Sequence, residues 1–265
     1  TLRHPLLIRV ECVFYDGANA YVQTPFYERG NLHEWLFGHH GGDAVVPSAA
    51  EVSTMFRLVL QGLMHMHAHS VFHRDVKLAN VLVSDGGSPV LCDFGVSKAY
   101  AGRTAAAAVT AAAATTGVQA ALTPAYAAPE VVKSPLQAHA AGGEKADMFG
   151  FGVCLFVSVV GVVPDRDPLT HCLSDQAKAQ LQRSGSPACP LLRRLLADAP
   201  ADRPAAAEAL LDPYFADTHA VARGRERVAR GGQFEAAAPA QERARAGAQL
   251  EERYAFVGCR PAVVQ

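Results

Sequence analysis

No sign of charge is in excess: 24 Lys and Arg stand against 25 Asp and Glu, a formal net charge of −1. There is accordingly no global field to favour a nucleic acid or an anionic membrane surface as partner. The six cysteines, at positions 12, 92, 154, 172, 189 and 259, include no C-x-x-C pair. A chain of 265 residues does not need disulfide staples, and a reducing, intracellular (cytoplasmic) compartment is expected. The longest apolar run, Phe149 to Val163, has fifteen residues and three glycines, short of the roughly 20 residues that a bilayer span requires. It reads as a buried helix, and no membrane span is expected. No basic stretch followed by an apolar one opens the chain, so no secretory leader is read there. The first residue is Thr rather than Met, and a start that has been cut is expected.

What is present is apolar. Half of the residues, 50%, are hydrophobic, enough to bury a substantial core in one large domain or two small ones. Residues 6–14 and 20–26 are rich in β-branched and aromatic side chains and are separated by Tyr15-Asp16-Gly17-Ala18-Asn19, which predicts an antiparallel hairpin. Helical spacing follows over about Asn31 to His40 and again over Ala49 to His69. There Val52, Met55, Phe56, Val59, Leu60, Leu63 and Met66 form one stripe. Ser48 with Glu51 has the capping-box pattern. Short strands are predicted at Asn80–Val83 and Val90–Cys92 on either side of an Asp85-Gly86-Gly87-Ser88-Pro89 turn. Residues 101–121 are almost all Ala, Thr, Gly and Val, a composition that specifies no packed conformation, and a mobile loop is expected. Beyond Pro164, Leu191, Leu192, Leu195 and Leu196 form one helical face and Ala205 to Leu211 another. An Arg-, Ala-, Glu- and Gln-rich tail follows Asp217.

The chemistry concentrates in His73-Arg74-Asp75-Val76-Lys77-Leu78-Ala79-Asn80, followed thirteen residues after its Asn by Asp93-Phe94-Gly95. Phosphoryl transfer needs positioning and charge neutralisation more than covalent chemistry: a group to orient the hydroxyl, a cation for the phosphate and oxygens for a metal. Asp75 fits the first role and Lys77 the second. Asn80 and Asp93 are hard oxygen ligands suited to magnesium, which keeps waters and uses few protein carboxylates. Gly95 allows a tight turn after the metal ligand.

Together with Ala128-Pro129-Glu130, these motifs resemble the catalytic loop, the magnesium loop and the end of the activation segment of eukaryotic protein kinases. Either triplet alone is weak, and the joint order and spacing carry the resemblance. It extends over residues 4–215, and the tyrosine-kinase-like group is a candidate subgroup. His4-Pro5 resembles the turn before the fourth strand, and Glu28-Arg29-Gly30-Asn31-Leu32 the hinge leading into the large lobe. Asp147, in KADMFGFGV, matches the aspartate that braces the catalytic loop through backbone amides. Glu130 and Arg203 match a buried ion pair. Lys77 and Thr123 match the serine/threonine pattern rather than the tyrosine one. In the hinge the resemblance makes Thr24 the gatekeeper, Pro25 the carbonyl and Tyr27 the amide that hold adenine, with Leu82 as floor and Cys92 lining the pocket. Pro25 stands where Glu is common, and it removes an N–H donor without touching the two groups required.

The implied fold is α+β and protein-kinase-like. A two-strand remnant of the small lobe spans 1–27, a mainly helical large lobe 28–216, and a helical or disordered tail 217–265. The implied reaction is transfer of the ATP γ-phosphoryl group to serine or threonine of a protein substrate, with ATP and Mg2+ as cofactors. No G-x-G-x-x-G loop and no strand lysine in a V-A-I-K context occur in the chain. The expectation is an incomplete piece of an active kinase, weak or inactive alone. The alternative is a catalytically inactive kinase-like binding or scaffold module, and a small-molecule phosphotransferase is a lesser one because of the A-P-E segment.

Three further clusters have two readings each. His65 and His69 share a helical face, which suits a metal less well than it suits ordinary histidines on the helix before the catalytic loop. Arg223, Arg225, Arg227 and Arg230 suit a solvated helix better than a nucleic-acid patch. Arg74 would bind a phosphate on Thr110, Thr115 or Thr116, unless these are merely residues of a biased loop.

Overall fold

The computed structural model describes residues 2–17, 19–38, 47–94, 98–99, 123–133 and 143–216. The expectations for the 101–121 loop, for Gly95, for Thr110, Thr115 and Thr116, and for the tail with its arginines lie outside the described residues.

The chain opens with a turn at His4, whose Nδ1 accepts from Leu6 N at 3.2 Å. Strands β1 (Cys12–Tyr15) and β2 (Ala20–Gln23) then form the expected antiparallel hairpin, in register Cys12↔Gln23 to Tyr15↔Ala20. The first strand starts later than residue 6. Residues 6–8 instead run beside Leu91, with Ile8 N donating to Leu91 O at 2.8 Å and Leu91 N to Leu6 O at 2.9 Å. The backbone donors there are satisfied by His4, for Leu6 and Leu7, and by Leu91, for Ile8, so the hairpin cannot claim them. The second strand stops at Gln23, ahead of Pro25, which cannot donate to a ladder.

Helix α1 spans Leu32–Phe37, shorter than the sequence pattern at both ends. Asn31 is its cap rather than its first residue: the side chain accepts from Glu34 N at 3.1 Å while Glu34 Oε2 accepts from Asn31 N at 2.8 Å. Gly38, at φ 79°, ends it. Helix α2 (Ala49–Ala68) begins at the Ser48–Glu51 capping box and buries every member of the predicted stripe. After it come β3 (Val71–Phe72), a 3-10 turn at Leu78–Asn80, β4 (Val81–Val83) and β5 (Pro89–Leu91). β4 and β5 pair antiparallel, and β3 pairs with β6 (Lys98–Ala99).

Helices α3 (Pro129–Lys133), α4 (Glu144–Val160), α5 (Asp175–Arg183), α6 (Cys189–Leu195) and α7 (Ala206–Ala209) complete the described part. The apolar run does form a buried helix, but displaced. It starts five residues earlier, at Glu144, and Gly161 at φ 86° turns the chain so that Val162 and Val163 are exposed. From Asp147 to Val157 every residue of α4 is buried, as expected of a helix apolar on all sides, and α2, α5 and α6 pack around it. Leu191, Leu192, Leu195 and Leu196 are buried as one face, whereas Leu211 is 85% exposed because α7 stops at Ala209. Among the described residues no helix is long and apolar enough to cross a membrane, and all five described cysteines are free thiols.

Two glycines let α4 lie this deep. A Cβ on Gly152 would come within 2.9 Å of Leu195 Cβ, and one on Gly150 within 2.8 Å of the Val76 carbonyl oxygen. Replacing a helical Gly by Ala at an open site stabilises by roughly 0.5–1 kcal/mol. Gly150→Ala is expected to do the reverse, destabilising by about 1–3 kcal/mol because backbone must move. A urea midpoint that stays the same or rises would show that the 73–80 loop yields freely.

Candidate active site

The loop from His73 to Asn80 is held from below by one carboxylate. Asp147, at the first turn of α4 and 1% exposed, accepts from His73 N through Oδ2 at 2.8 Å and from Arg74 N through Oδ1 at 2.7 Å. Two successive amides reach one carboxylate because Arg74 is left-handed, at φ 70°. That conformation costs a non-glycine residue about 1–2 kcal/mol. A hydrogen bond to a charged acceptor contributes about 1.5–3 kcal/mol, so two of them outweigh the strain. His67 adds a third bond: its Nε2 lies 2.9 Å from Asp147 Oδ2, and since an ionised carboxylate only accepts, Nε2 carries the proton.

Above this anchor the loop's side chains converge. Asp75 Oδ2 accepts from Lys77 Nζ at 2.6 Å and from Asn80 Nδ2 at 3.0 Å, and Asn80 Nδ2 also donates to the Asp75 carbonyl at 2.9 Å. Lys77 Nζ donates to Thr123 Oγ1 at 3.0 Å, which joins the loop to the 123–130 segment. Asp75 and Asn80 are buried, at 7% and 6% exposure, so these bonds act in a medium that screens them little.

A second tie runs sideways. His73, fully buried, donates through Nε2 to the Cys92 carbonyl at 2.9 Å, and Cys92 N donates to Asn80 O at 2.9 Å. Asp93, next along, is exposed and left-handed at φ 63°, a conformation that Asp tolerates better than most residues. Burial, and then the Asp93 charge, push the Cys92 thiol up to about 11.

The residues expected to form the hinge are less tightly tied. Burial and then the Cys92 charge raise the Tyr27 phenol. Leu82 lies on β4 in an antiparallel bridge with Asn31. Thr24 and Pro25 are half-buried on the connector between β2 and α1. Among the described residues no hydrogen bond is recorded from either to the Asp75 cluster.

The 123–130 segment is anchored by a buried ion pair. Arg203, 1% exposed, donates to Glu130 Oε1 and Oε2 at 2.7 and 2.9 Å. It also donates to the carbonyls of Ala197, Asp198 and Lys145. All five guanidinium hydrogens are used, which is the condition under which a buried charge is tolerable.

Two residues in this network carried no such role in the sequence. His67 belongs to no motif, yet it stands four residues after Leu63 and seven after Leu60. It therefore continues the buried stripe of α2, and an inward-facing polar group there needs a partner. Arg166, which contacts the 123–130 segment, follows α4 in a stretch without periodicity and gave no signal. His65 and His69 do lie together, ring centroids 4.5 Å apart, with His4 stacked 4.5 Å from His65. Among the described residues no cluster of three or more His, Cys, Asp or Glu side chains is arranged to hold a metal ion.

Residues 1–215 match the family model of the protein kinase domain. The chain belongs to the eukaryotic protein kinases. Relatives bear this out. A bifunctional serine/threonine-protein kinase/NEDD4-like E3 ubiquitin-protein ligase of Dictyostelium discoideum is 30% identical over 157 residues, covering 58% of this chain and 8% of that protein. Serine/threonine-protein kinase SRK2D of Arabidopsis thaliana is 31% identical over 170 residues, 63% of this chain and 41% of the relative. Serine/threonine-protein kinase PLK4 of Drosophila grimshawi is 28% identical over 174 residues, 65% and 20%. The kinase chain thus spans less than half the length of each of these relatives.

Removing Glu130 strands the Arg203 charge. Glu130→Ala is expected to cost about 3 kcal/mol of stability, read as a fall in the urea midpoint, and an unchanged midpoint would show the pair to be dispensable. Cys92, with its thiolate fraction at pH 7.5 on the order of 1 in 1,000 or less, is expected to react with iodoacetamide more slowly than exposed Cys12. Peptide mass spectrometry over time reads this, and equal or faster labelling of Cys92 contradicts it.

Proposed function

We propose that this kinase domain transfers the γ-phosphoryl group of Mg-ATP to a serine or threonine hydroxyl of a protein substrate. The observation that supports this most is the bonded set Asp75, Lys77 and Asn80 with Thr123. Lys77 and Asn80 both hold Oδ2 of Asp75, while Oδ1 has no hydrogen-bond partner among the described residues. Asp75 Oδ1 is then the atom that orients the attacking hydroxyl and accepts its proton. Lys77, already between Asp75 and Thr123, sets an ammonium beside the transferred group.

The donor set fits magnesium. Asn80 commits its Nδ2 to Asp75, so its Oδ1 is the atom it offers a cation, and the exposed Asp93 carboxylate is the second ligand. Two protein oxygens suffice for an ion that retains waters. When bound, Mg-ATP supplies the phosphoryl group and neutralises the charge that its transfer develops. Pro25 O and Tyr27 N would receive the adenine, beside Thr24, over Leu82 and against Cys92. On this reading 1–27 contributes the strands and hinge of the small lobe, 28–216 is the large lobe, and 217–265 is an appended tail. The serine/threonine preference is supported by the Lys77–Thr123 bond and by the names of the relatives.

In the full-length protein, Asp75→Asn is expected to lower phosphate transfer by about 10²–10⁴-fold while fluorescent-nucleotide binding stays as in the wild type. Transfer from radiolabelled ATP at an undiminished rate removes Asp75 from the role. A wild-type protein that transfers no phosphate to any serine or threonine acceptor favours the second reading, a kinase-like module that docks partners without catalysis.

A further inference from the structure

Arg166 is the cation for which the phosphoryl-transfer reading has no use. Its Nη1 donates to the Pro124 carbonyl at 3.0 Å and to the Ala127 carbonyl at 2.8 Å. Its guanidinium carbon lies 4.8 Å from the centre of the Phe149 ring, and Arg203 lies at the same distance from that ring. Nε and Nη2 of Arg166 are buried and take no hydrogen bond, and among the described residues no carboxylate is within ion-pair distance of it. A desolvated guanidinium with two unused nitrogens, three N–H donors in all, is costly. The ring face and the two carbonyls are what it gains in return.

Both ends of this contact are fixed. On one side, Arg166 starts a short closed turn. It bridges to Leu173, Asp167 N donates to Cys172 O at 2.9 Å, and Ser174 N to Asp165 O at 3.0 Å. Asp167 Oδ1 fills the turn by accepting from Leu169 N, Thr170 N and Thr170 Oγ1. On the other side, the amides of Tyr126 and Ala127 both donate to Thr123 O, at 2.9 and 3.2 Å. The 123–127 turn therefore directs its amides inward, and Arg166 takes the Pro124 and Ala127 carbonyls. These carbonyls bracket Tyr126, and beneath the turn, beside Asp75, Tyr126, Ala128 and Val131 line a small, largely enclosed pocket with Val76, Ala146 and Gly150, so the turn lies directly over the catalytic loop and α4.

We propose that Arg166 is a positioning residue for the acceptor substrate: by clamping the Pro124 and Ala127 carbonyls to the Phe149 ring it fixes the 123–127 turn, which Lys77 ties to Asp75, in the place where its outer side meets the acceptor chain. This rests on the phosphoryl-transfer reading for its catalytic consequence, though not for the clamp itself. The acceptor is a polypeptide laid along the 123–128 turn with its hydroxyl at Asp75. Arg166 touches neither the hydroxyl nor the nucleotide, so its loss acts on acceptor affinity.

The test uses the full-length protein as wild type, Arg166→Ala and Arg166→Lys. Hydrogen–deuterium exchange reads the clamp, and steady-state kinetics read its effect on one serine acceptor peptide chosen from a peptide array. In Arg166→Ala the Tyr126 and Ala127 amides are expected to exchange about tenfold faster, the loss of two carbonyl bonds, with the amides of α2 unchanged. KM for the peptide should rise about tenfold, while KM for Mg-ATP and kcat stay within about twofold. Arg166→Lys, which keeps the charge but not the planar fork, should fall between. Unchanged exchange at 126–127, or acceleration spread equally over α2 and α4, overturns the clamp. Faster exchange with an unchanged peptide KM overturns the positioning role. No transfer by the wild type overturns the catalytic reading instead, and the exchange comparison then decides Arg166 alone.

Discussion

The carboxylate of Asp147 is the constraint on which the rest of the site depends. It takes two consecutive loop amides at 2.7 and 2.8 Å, and this holds Arg74 in a conformation it would not choose alone. The position of Asp75 follows, because it is the next residue. So does the direction of the His73 ring, which is free to meet the Cys92 carbonyl only while the His73 amide faces the other way. A carboxylate can do this where a neutral amide could not: it offers acceptors alone, and every neighbour that reaches it is a donor.

Helix α4 brings Asp147 there and does two more things within one turn. Phe149 carries the faces on which Arg166 and Arg203 rest, and Gly150 leaves room for the Val76 carbonyl. Three positions of one helix thus face three parts of the machinery: the loop backbone, the ion pair under the 123–130 segment, and the floor of the loop. The helix can bear those loads because it is buried all round. The α2 stripe packs on it at the Phe56–Phe151 edge contact, ring centroids 5.7 Å apart.

Much of this was legible in the residues. The stripe from Val52 to Met66 predicted the buried face of α2 because seven apolar side chains at helical spacing leave little choice, and Ser48 with Glu51 predicted where that helix starts. HRD, DFG and APE at their spacing identified the family and marked Asp75, Lys77 and Asn80, which the structure joins by hydrogen bonds. What was not legible depended on partners distant in sequence. Residues 6–8 look like strand, but they run beside Leu91 rather than along the hairpin, and local pattern carries no record of that. Arg166 finds its acceptors some 40 residues away in a segment with no periodicity. His67 was readable in principle, as a polar residue on an apolar stripe, but its partner Asp147 lies 80 residues away in the chain.

The Arg74 and His73 bonds to Asp147 close over 73 and 74 residues of chain. On a ribosome that separation is a delay. At about 5–20 residues per second, the HRD segment waits several seconds before the carboxylate that shapes it has been made, and until α4 emerges its left-handed backbone has nothing to hold it. A nascent chain stalled before residue 147 would carry every motif residue of the loop and none of its geometry. For the same reason a break between Asn80 and Asp147 that let α4 drift away would leave the chemical groups intact and unarranged.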